Sequence, residues 1–520
     1  MRRLAALLLL ATGLLPAQPP RRTPAQRPKP KLLLAIVVDQ LRYDYLTRFV
    51  QEYNAGFARL LNQGAVFTDA HYEHFPTVTA VGHSTVLSGA YPAVSGIVGN
   101  EWFDRESGVQ VTSVTDSSVQ PLGAPTGKKS SPRRLLVSTV ADELKMSGAG
   151  ESKSIGISLK DRSAILPVGR SADGAYWFDE NSGYFVSSTY YFADVPAWVK
   201  DFNQSRFTER YLGKEWAPIA GGKPFIRMDP APGSAFFKAF ERSAFGNELL
   251  EAFAERAIDA EQLGRHSGTD VLAVSFSSND YVGHDHGQDS PLVRDISVRT
   301  DRILGALFEF VDARVGLDKT LVVLTADHGV APMPEAQQSR RMPGGRIPED
   351  TVLKKAQAAC EAAFGAGKWV VGESGPSPYL NLDLIREKGL RVADVVETAA
   401  AAVRSIPHVA RVYTRSQLLA GAVNSDPVSR RVAGGFHPQR SANLLVVSEP
   451  YWMFEDKGTS HGTPYHYDSH VPVLFLGPGI KPGRYRRRAA VNDIAPTIAA
   501  ILDIEAPAGS AGRVLVEALD

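Results

Sequence analysis

Three carboxylates follow apolar runs of the sequence, and two of them are followed by a histidine within four residues. Asp280 is followed four residues later by His284 in NDYVGH, Asp327 is followed directly by His328 in TADHG, and Asp39 ends the run KLLLAIVV. Carboxylates and imidazoles together suit zinc; manganese and iron are alternatives, and magnesium and calcium are less natural. A lone Asp after a strand is also typical of helix caps, and either histidine alone is compatible with a turn. The recurrence of the pattern favours metal binding.

A further histidine is needed if one metal takes its ligands mainly from Asp280 and His284. The C-terminal segment GTSHGTPYHYDSHVPVLFLG offers His461, His466 and His470 before an apolar run. We predict that His461 completes this ligand set, with His470 as the reserve candidate.

Thr79, in the segment HFPTVTAVGHSTVLSG, is the candidate nucleophile. The pattern predicts a helix from Thr79 to about Leu87, ended by Gly89. A helix N-terminus carries partial positive charge and unpaired N–H groups, so it favours an anionic phosphoryl group and an attacking alkoxide. The alternative is that Thr77 caps the helix and that Thr79 is an ordinary first-turn residue.

Taken in order, the motifs form a specific set: PTVT with GIVGN downstream, SLKDR, ND with GH, TADHG and GTSHG. This set resembles the alkaline phosphatase superfamily, and within it the PafA-like, phosphate-irrepressible alkaline phosphatases, over most of the chain from Lys31 onward. The resemblance implies two zinc ions and a threonine nucleophile that forms a phosphothreonine. Carried onto this sequence, it implies one zinc surrounded by Asp39, Thr79, Asp327 and His328 and the other by Asp280, His284 and His461.

Three more residues take their roles from the same resemblance. Asn100, in GIVGN, resembles the family's donor to a non-bridging phosphoryl oxygen, and Lys160 and Arg162, in SLKDR, resemble a cationic pair of the monoesterase branch. A phosphate monoester carries up to two negative charges and a diester carries one, so paired cations favour the monoester. The resemblance therefore implies a broad-specificity hydrolase of small phosphate monoesters.

Two other functions are compatible with parts of the pattern. A nucleotide pyrophosphatase/phosphodiesterase shares the metals and the threonine, and the PTVT motif does not separate the two branches. SLKDR favours the monoesterase. A catalytically inert, exported metal-binding scaffold is the alternative from another class, and the presence of a residue at every ligand position argues against it.

The candidate residues lie where predicted strands end. SIGISL ends before Lys160, DVLAVSF ends before Asp280 and TLVVLTA ends before Asp327, while helical patterns over 247–264 and 298–315 alternate with such runs. This alternation indicates an α/β fold, in which ligands bind at the carboxyl ends of the strands. With the resemblance, it predicts an alkaline-phosphatase-like core: a mostly parallel central sheet flanked by helices.

The predicted organisation is one catalytic domain over residues 31–520. Two stretches depart from the alternation, an aromatic-rich one near 171–230 and one with Pro- and Gly-containing segments near 332–442. We expect both to be insertions or cap elements above the core.

The N-terminus and the composition bear on location and partners. Residues 1–17 have two arginines and then an apolar run, as in a signal peptide, and residues 18–30 form a Pro/Arg-rich leader, so we predict a periplasmic or secreted protein. No other apolar run reaches membrane-spanning length. Lys plus Arg total 57 and Asp plus Glu 56, so no global field attracts nucleic acid. Cys360 is the single cysteine, which excludes an intramolecular disulfide, and we expect it to be an inert apolar residue of a helix.

Overall fold

The computed structural model describes residues 29–148 and 151–520. The predicted signal peptide (1–17) and nearly all of the predicted leader (18–30) lie outside the described residues. In chain order the strands are β1 (Leu32–Val38), β2 (Ala65–Phe67), β3 (Ala70–His71), β4 (Glu101–Asp104), β5 (Val109–Thr112), β6 (Pro121–Leu122), β7 (Ser154–Ser158), β8 (Gly174–Asp179), β9 (Tyr184–Ser188), β10 (Glu215–Trp216), β11 (Ile226–Arg227), β12 (Asp270–Phe276), β13 (Thr320–Thr325), β14 (Gly345–Arg346), β15 (Val370–Ser374), β16 (Ser377–Leu380), β17 (Val409–Thr414), β18 (Leu444–Ser448), β19 (Trp452–Met453), β20 (Val473–Leu476), β21 (Gly483–Tyr485) and β22 (Ala489–Ala490).

The central sheet has the strand order β21-β2-β20-β13-β1-β12-β7-β8-β9-β6. Its middle, from β13 to β8, is parallel, whereas β20 runs antiparallel between β13 and β2, and β9 runs antiparallel to β8. Every residue of β1, β12 and β13 is buried, as expected for parallel strands that are covered on both faces. The predicted α/β fold with a mostly parallel sheet is confirmed.

Helices flank this sheet in two groups. Helices α2, α9, α10 and α11 pack on one another, and helices α3, α5, α6 and α19 form a second packed group. No helix of the described chain is both long and apolar enough to cross a membrane. In chain order the helices are α1 (Tyr45–Arg48), α2 (Gly56–Gln63), α3 (Thr79–Ser88), α4 (Pro92–Ser95), α5 (Val140–Ser147), α6 (Asp161–Ile165), α7 (Ala197–Gln204), α8 (Ser234–Glu241), α9 (Ala244–Ala260), α10 (Ser278–His286), α11 (Pro291–Arg314), α12 (Pro334–Ser339), α13 (Thr351–Phe364), α14 (Leu382–Glu387), α15 (Val392–Arg404), α16 (Arg415–Leu419), α17 (Pro427–Gly435), α18 (His466–Ser469) and α19 (Ile494–Leu502).

The first predicted insertion, 171–230, differs from the expectation of a cap. Its aromatic run supplies β8 and β9, which extend the central sheet, and Trp177 of β8 is buried in an apolar cluster with residues of α3 and α6. Trp216, further along the stretch, is buried in the main core. The run is rich in aromatic residues because it packs against both helix groups, so a cap is the wrong description for these residues.

The second predicted insertion, 332–442, contains helices α12 to α17 and has an apolar core of its own. Val352, Cys360, Trp369 and Val395 are buried there, together with Leu444 of β18. Burial raises the pKa of the Cys360 thiol to about 11, in agreement with an inert apolar role. The division of the chain into one catalytic domain with insertions remains a prediction.

Candidate active site

The first group of possible metal ligands comprises Asp39, Asp327 and His328. Asp39 follows β1 and Asp327 lies just beyond β13; because these strands are parallel neighbours, their carboxyl ends bring the three side chains together. One ligand atom from each residue lies within 4.8 Å of the others, and all three residues are fully buried. Asp39 Oδ1 and Asp327 Oδ2 have no hydrogen-bond partner among the described residues. Buried carboxylate oxygens without partners fit a bound cation.

The second group comprises Asp280, His284 and His461. Asp280 and His284 lie one turn apart on α10, which follows β12, and His461 comes from the loop before α18. His284 Nδ1 lies 2.6 Å from the carbonyl oxygen of Thr459, and His461 Nδ1 lies 2.8 Å from that of Thr77. Donation from Nδ1 to a carbonyl leaves the Nε2 lone pair free, which is how metal-binding histidines are oriented.

The structure places His461 in this second group, and not the reserve candidate His470. His470 Nε2 lies 3.1 Å from the carbonyl oxygen of Thr68, and its ring stacks on that of His71. His466, the third histidine of the segment, is exposed at the start of α18. Six of the seven sequence-predicted ligands thus form two groups of three, and His470 lies outside both.

The two groups carry a concentration of negative charge. Burial, together with repulsion from Asp280 and Asp327, holds the pKa of Asp39 well above its ordinary value. Burial acts in the same direction on Asp280, but the charges of His284 and Lys160 outweigh it and hold its pKa well below the ordinary value. Carboxylates crowded in this way are neutralised by divalent cations, which are the largest local charges in such sites. The donor set of carboxylate oxygens and imidazole nitrogens fits zinc.

Thr79 begins α3, as predicted, and the helix ends at Ser88 before Gly89, which has a left-handed φ of 65°. Thr77 does not cap the helix, because its hydroxyl donates to the carbonyl oxygen of Thr463 at 2.8 Å. Thr79 Oγ1 lies 3.5 Å from His328 Nε2, so the hydroxyl stands beside the first ligand group.

Asn100 is tied to the start of the same helix. Its Oδ1 accepts a hydrogen bond from the N–H of Ala80 at 2.8 Å, so the amide NH₂ is the end that can donate to a substrate oxygen. A cavity of about 680 Å³ opens beside Asn100, His284 and His461 and is also lined by Glu373 and Tyr379 from the second predicted insertion.

Lys160 and Arg162 lie at the carboxyl end of β7, at the start of α6. Lys160 Nζ donates to Asp39 Oδ2 at 2.7 Å and to Asp280 Oδ2 at 2.6 Å, so it bridges the two ligand groups. Burial opposes its charge, but the two carboxylates prevail and raise the pKa of the ammonium. Arg162 Nε is buried without a hydrogen-bond partner among the described residues. Asp161 points elsewhere, because Ser130 donates to its Oδ2 and its Oδ1 accepts the N–H of Arg162.

Two residues without a role in the sequence analysis contact the ligands. Gln40, at a left-handed φ of 65°, donates its N–H to Asp327 Oδ1 at 3.1 Å and its amide to Asp280 Oδ1 at 2.6 Å, so it contacts both groups. His83, one turn after Thr79 on α3, has its Nδ1 3.2 Å from Asp327 Oδ2, although the hydrogen bond of that nitrogen is to the carbonyl oxygen of Thr79, at 2.9 Å. The sequence indicates His83 only through its position four residues, or one helical turn, after the candidate nucleophile. It indicates Gln40 only through its position next to Asp39.

The fold and the site define an arrangement in which two groups of carboxylates and imidazoles, each a candidate metal site, lie with a helix-borne threonine at the carboxyl edge of a sheet. The family model for type I phosphodiesterase / nucleotide pyrophosphatase matches residues 33–470. Alkaline phosphatase PafA of Elizabethkingia meningoseptica is 35% identical, with 98% of both chains covered. Alkaline phosphatase PhoV of Synechococcus elongatus is 36% identical over 94% of this chain and 93% of its own.

The solved structures agree. A crystal structure of wild-type alkaline phosphatase PafA superposes with a TM-score of 0.88 at 33% identity, covering 95% of this chain and 99% of that one. The chain belongs to the type I phosphodiesterase/nucleotide pyrophosphatase family and, within it, to the PafA-like alkaline phosphatases. It is an enzyme of the alkaline phosphatase class.

Proposed function

We propose that this chain is an exported, broad-specificity phosphate monoesterase that uses two zinc ions and a phosphothreonine formed at Thr79. The observation that carries the proposal is the position of Thr79 Oγ1, at the N-terminus of α3 and 3.5 Å from His328 Nε2. A hydroxyl there faces both the metal ligands and the positive end of a helix. Likeness to two alkaline phosphatases over nearly the whole chain supports the reaction class.

The described side chains suggest how the reaction proceeds. Thr79 Oγ1 loses its proton and attacks phosphorus in line with the leaving oxygen, and the ester bond breaks as the alcohol leaves with a proton. The phosphoryl group remains on Thr79 until water hydrolyses the phosphothreonine, which restores the threonine hydroxyl and releases phosphate. Asp39, Asp327 and His328 would hold one zinc ion, and Asp280, His284 and His461 the other. When bound, the two ions would stabilise negative charge on the attacking and leaving oxygens.

Selection of a monoester depends on the residues that meet its non-bridging oxygens. Asn100 has its NH₂ group available, and Arg162 has a buried Nε without a partner among the described residues. Lys160 lies between the ligand groups, where its ammonium adds positive charge close to the transferred group. Donors of this kind favour a phosphoryl group with two negative charges over one with a single charge.

The decisive experiment compares two substrates on one protein. We would measure kcat/KM for an aryl phosphate monoester and the matching diester with zinc-reconstituted wild type, Lys160→Ala and Lys128→Ala, an exposed lysine that serves as the matched control. We expect a large monoester preference that falls about 10- to 100-fold in Lys160→Ala, as for the loss of a charge-assisted hydrogen bond, and is unchanged in Lys128→Ala. Zinc content is measured in parallel, because Lys160 also contacts Asp39 and Asp280.

A preference for the diester that does not depend on Lys160 would assign the chain to the nucleotide pyrophosphatase/phosphodiesterase activity that the family description also names. A protein without stoichiometric zinc and without turnover of either ester would instead support the inert scaffold.

We further propose small phosphate esters, and not nucleic acid, as substrates and partners. The nearly equal counts of basic and acidic residues support this, since the cationic side chains of the site act locally. Export to the periplasm or medium is supported by the signal-peptide pattern of residues 1–17. Cell fractionation of the full-length chain and of a chain without residues 1–17 tests the location: the shortened chain is expected to remain in the cytoplasm.

A further inference from the structure

A cluster of three histidines lies outside both ligand groups of the active site. His71 is buried at the end of β3, His466 is exposed at the start of α18, and His470 follows α18 and is half-buried. One ring nitrogen from each lies within 4.8 Å of the other two. None of the three contributes to the proposed reaction.

The hydrogen bonds of two of these rings leave one nitrogen of each ring with a lone pair. His470 Nε2 donates to the carbonyl oxygen of Thr68 at 3.1 Å, so its Nδ1 carries the lone pair. His71 Nε2 lies 2.7 Å from Asp69 Oδ1, and donation there leaves Nδ1 as the acceptor; among the described residues the hydrogen-bond partner of Nδ1 is the hydroxyl of Ser469, at 3.3 Å. A carboxylate or carbonyl on the far ring nitrogen is the support that metal-binding histidines receive. His284 and His461 in the active site are held in the same way.

The backbone around the cluster is fixed by the core. His71 and His470 form an antiparallel bridge, flanked by hydrogen bonds from Tyr72 N–H to the Ser469 carbonyl at 2.9 Å and from Val471 N–H to the Ala70 carbonyl at 3.1 Å. The rings of His71 and His470 stack with their centroids 4.6 Å apart, and the ring of His466 meets each of them edge-on. The fold thus brings the three side chains together before a cation arrives. Because stacked rings direct their lone pairs along nearly parallel planes, one of the two stacked rings must turn, as must the exposed His466, for the three to meet one ion.

We propose that His71, His466 and His470 bind a further divalent transition-metal ion of the zinc type, separate from the active site. Zinc–nitrogen bonds of about 2.0–2.1 Å in a tetrahedral site require nitrogens about 3.3 Å apart with their lone pairs converging on the ion, which rotation of His466 and of one of the two stacked rings supplies. Three imidazoles without a carboxylate select zinc, copper or nickel over calcium and magnesium. Exposure of His466 leaves the fourth position to water.

Such an ion would have a structural effect on the active site. It would join β3, which leads along the chain to Thr79, to the segment that begins with His461. The segment that leads to Thr79 and the segment that follows His461 would then be linked by one ion as well as by the fold.

Counting metal ions tests this site without reference to activity. Full-length protein is stripped of metal, equilibrated with zinc by dialysis and analysed for bound zinc, as wild type, His466→Ala and His408→Ala, the last being a half-exposed histidine of the second predicted insertion. We expect His466→Ala to bind one equivalent fewer than wild type and His408→Ala to bind the same number as wild type. Equal zinc content in wild type and His466→Ala would overturn the proposal.

A second variant gives a spectroscopic signature. His466→Cys provides a thiolate in place of the imidazole, so cobalt-loaded His466→Cys is expected to show a thiolate-to-cobalt charge-transfer band that cobalt-loaded wild type does not show. The native Cys360 does not interfere, because it is buried in the core of the second predicted insertion. Cobalt binding without that band would also overturn the proposal.

Discussion

At the scale of single residues, the site is characterised by how the second polar atom of each side chain is fixed. His284 and His461 each donate from Nδ1 to a backbone carbonyl, and Asn100 accepts the N–H of Ala80, so the other polar atom of each side chain is left for a metal or a substrate. Thr79 is different, because the one partner of its hydroxyl among the described residues is His328, at the long distance of 3.5 Å. A hydroxyl so weakly held is available as a nucleophile.

The first prediction concerns that hydroxyl. Thr79→Ala is expected to lower kcat for an aryl phosphate at least about a thousand-fold, because no oxygen remains to accept the phosphoryl group. Thr79→Ser is expected to stay within about tenfold of wild type, since it keeps the oxygen. Steady-state kinetics on zinc-reconstituted protein, with acid-quench trapping of the phosphothreonine, measures both.

The matched control for Thr79 is Ser84→Ala on the same helix. Among the described residues the Ser84 hydroxyl donates to the carbonyl of Val81 within α3 and to neither ligand group, so its loss is expected to leave kcat near the wild-type value. Near wild-type turnover in Thr79→Ala would contradict the nucleophile assignment, whatever the control shows.

At the scale of secondary-structure elements, features that depend on local sequence were predicted better than features that depend on long-range contacts. The bounds of α3 follow from the sequence, because Gly89 ends the helix with a left-handed φ that its lack of a side chain permits. The place of β8 and β9 in the central sheet does not, since the same aromatic run suits a sheet edge or a cap until its partners are known.

The ligand groups show the same division. Apolar runs and the residues that follow them indicated the carboxylates and two of the histidines, because strand ends meet at one edge of a parallel sheet. Their division into two ligand groups was implied by the family resemblance. Gln40 was missed, because its role depends on Asp280 and Asp327, which lie far from it in sequence, and on a left-handed φ that glutamine rarely adopts. The His71 cluster was missed for a similar reason, as β3 meets the end of α18 only in the folded chain.

The second prediction belongs to α9, which carries acidic residues one turn apart. Burial, with repulsion from Glu255 and Glu248, raises the pKa of Glu251 to about 8. Because its ordinary value is 4.5, the folded chain keeps a proton that the unfolded chain loses, so stability falls as pH rises from about 4.5 to about 8. Glu251→Gln is expected to remove that loss and to raise the free energy of unfolding at pH 8 by on the order of 1 kcal/mol, allowing for partial exposure.

Urea unfolding at pH 5 and pH 8 measures this effect. The difference between Glu251→Gln and wild type is expected to grow with pH, whereas Glu361→Gln, an exposed acid on α13, should follow wild type at both values. A stabilisation by Glu251→Gln that is equal at pH 5 and pH 8 would show that packing, and not the titration of Glu251, is the cause.

At the scale of the whole molecule, the ligands come from distant parts of the chain. Asp39 precedes α1, Asp280 and Asp327 follow strands in the middle of the sequence, and His461 lies near the C-terminus. The two groups therefore exist only when the central sheet and its C-terminal segment have formed. Metal binding to such groups favours the folded chain over the unfolded one.

The last prediction follows from that coupling. Without cations, the buried carboxylates of Asp39, Asp280 and Asp327 repel one another, with Lys160 as the bridging positive charge. Chelation is expected to abolish turnover and to lower the free energy of unfolding by about 3 kcal/mol for each site that zinc had filled at 100 times its Kd. Urea unfolding and turnover of chelated, zinc-restored and magnesium-restored protein measure the effect, and zinc alone is expected to restore both properties. The same series in His466→Ala separates the active-site ions from the proposed histidine-bound ion, because chelation should then lower the free energy of unfolding by the contribution of one site fewer. Unfolding curves that are identical before and after chelation would refute metal binding by both ligand groups.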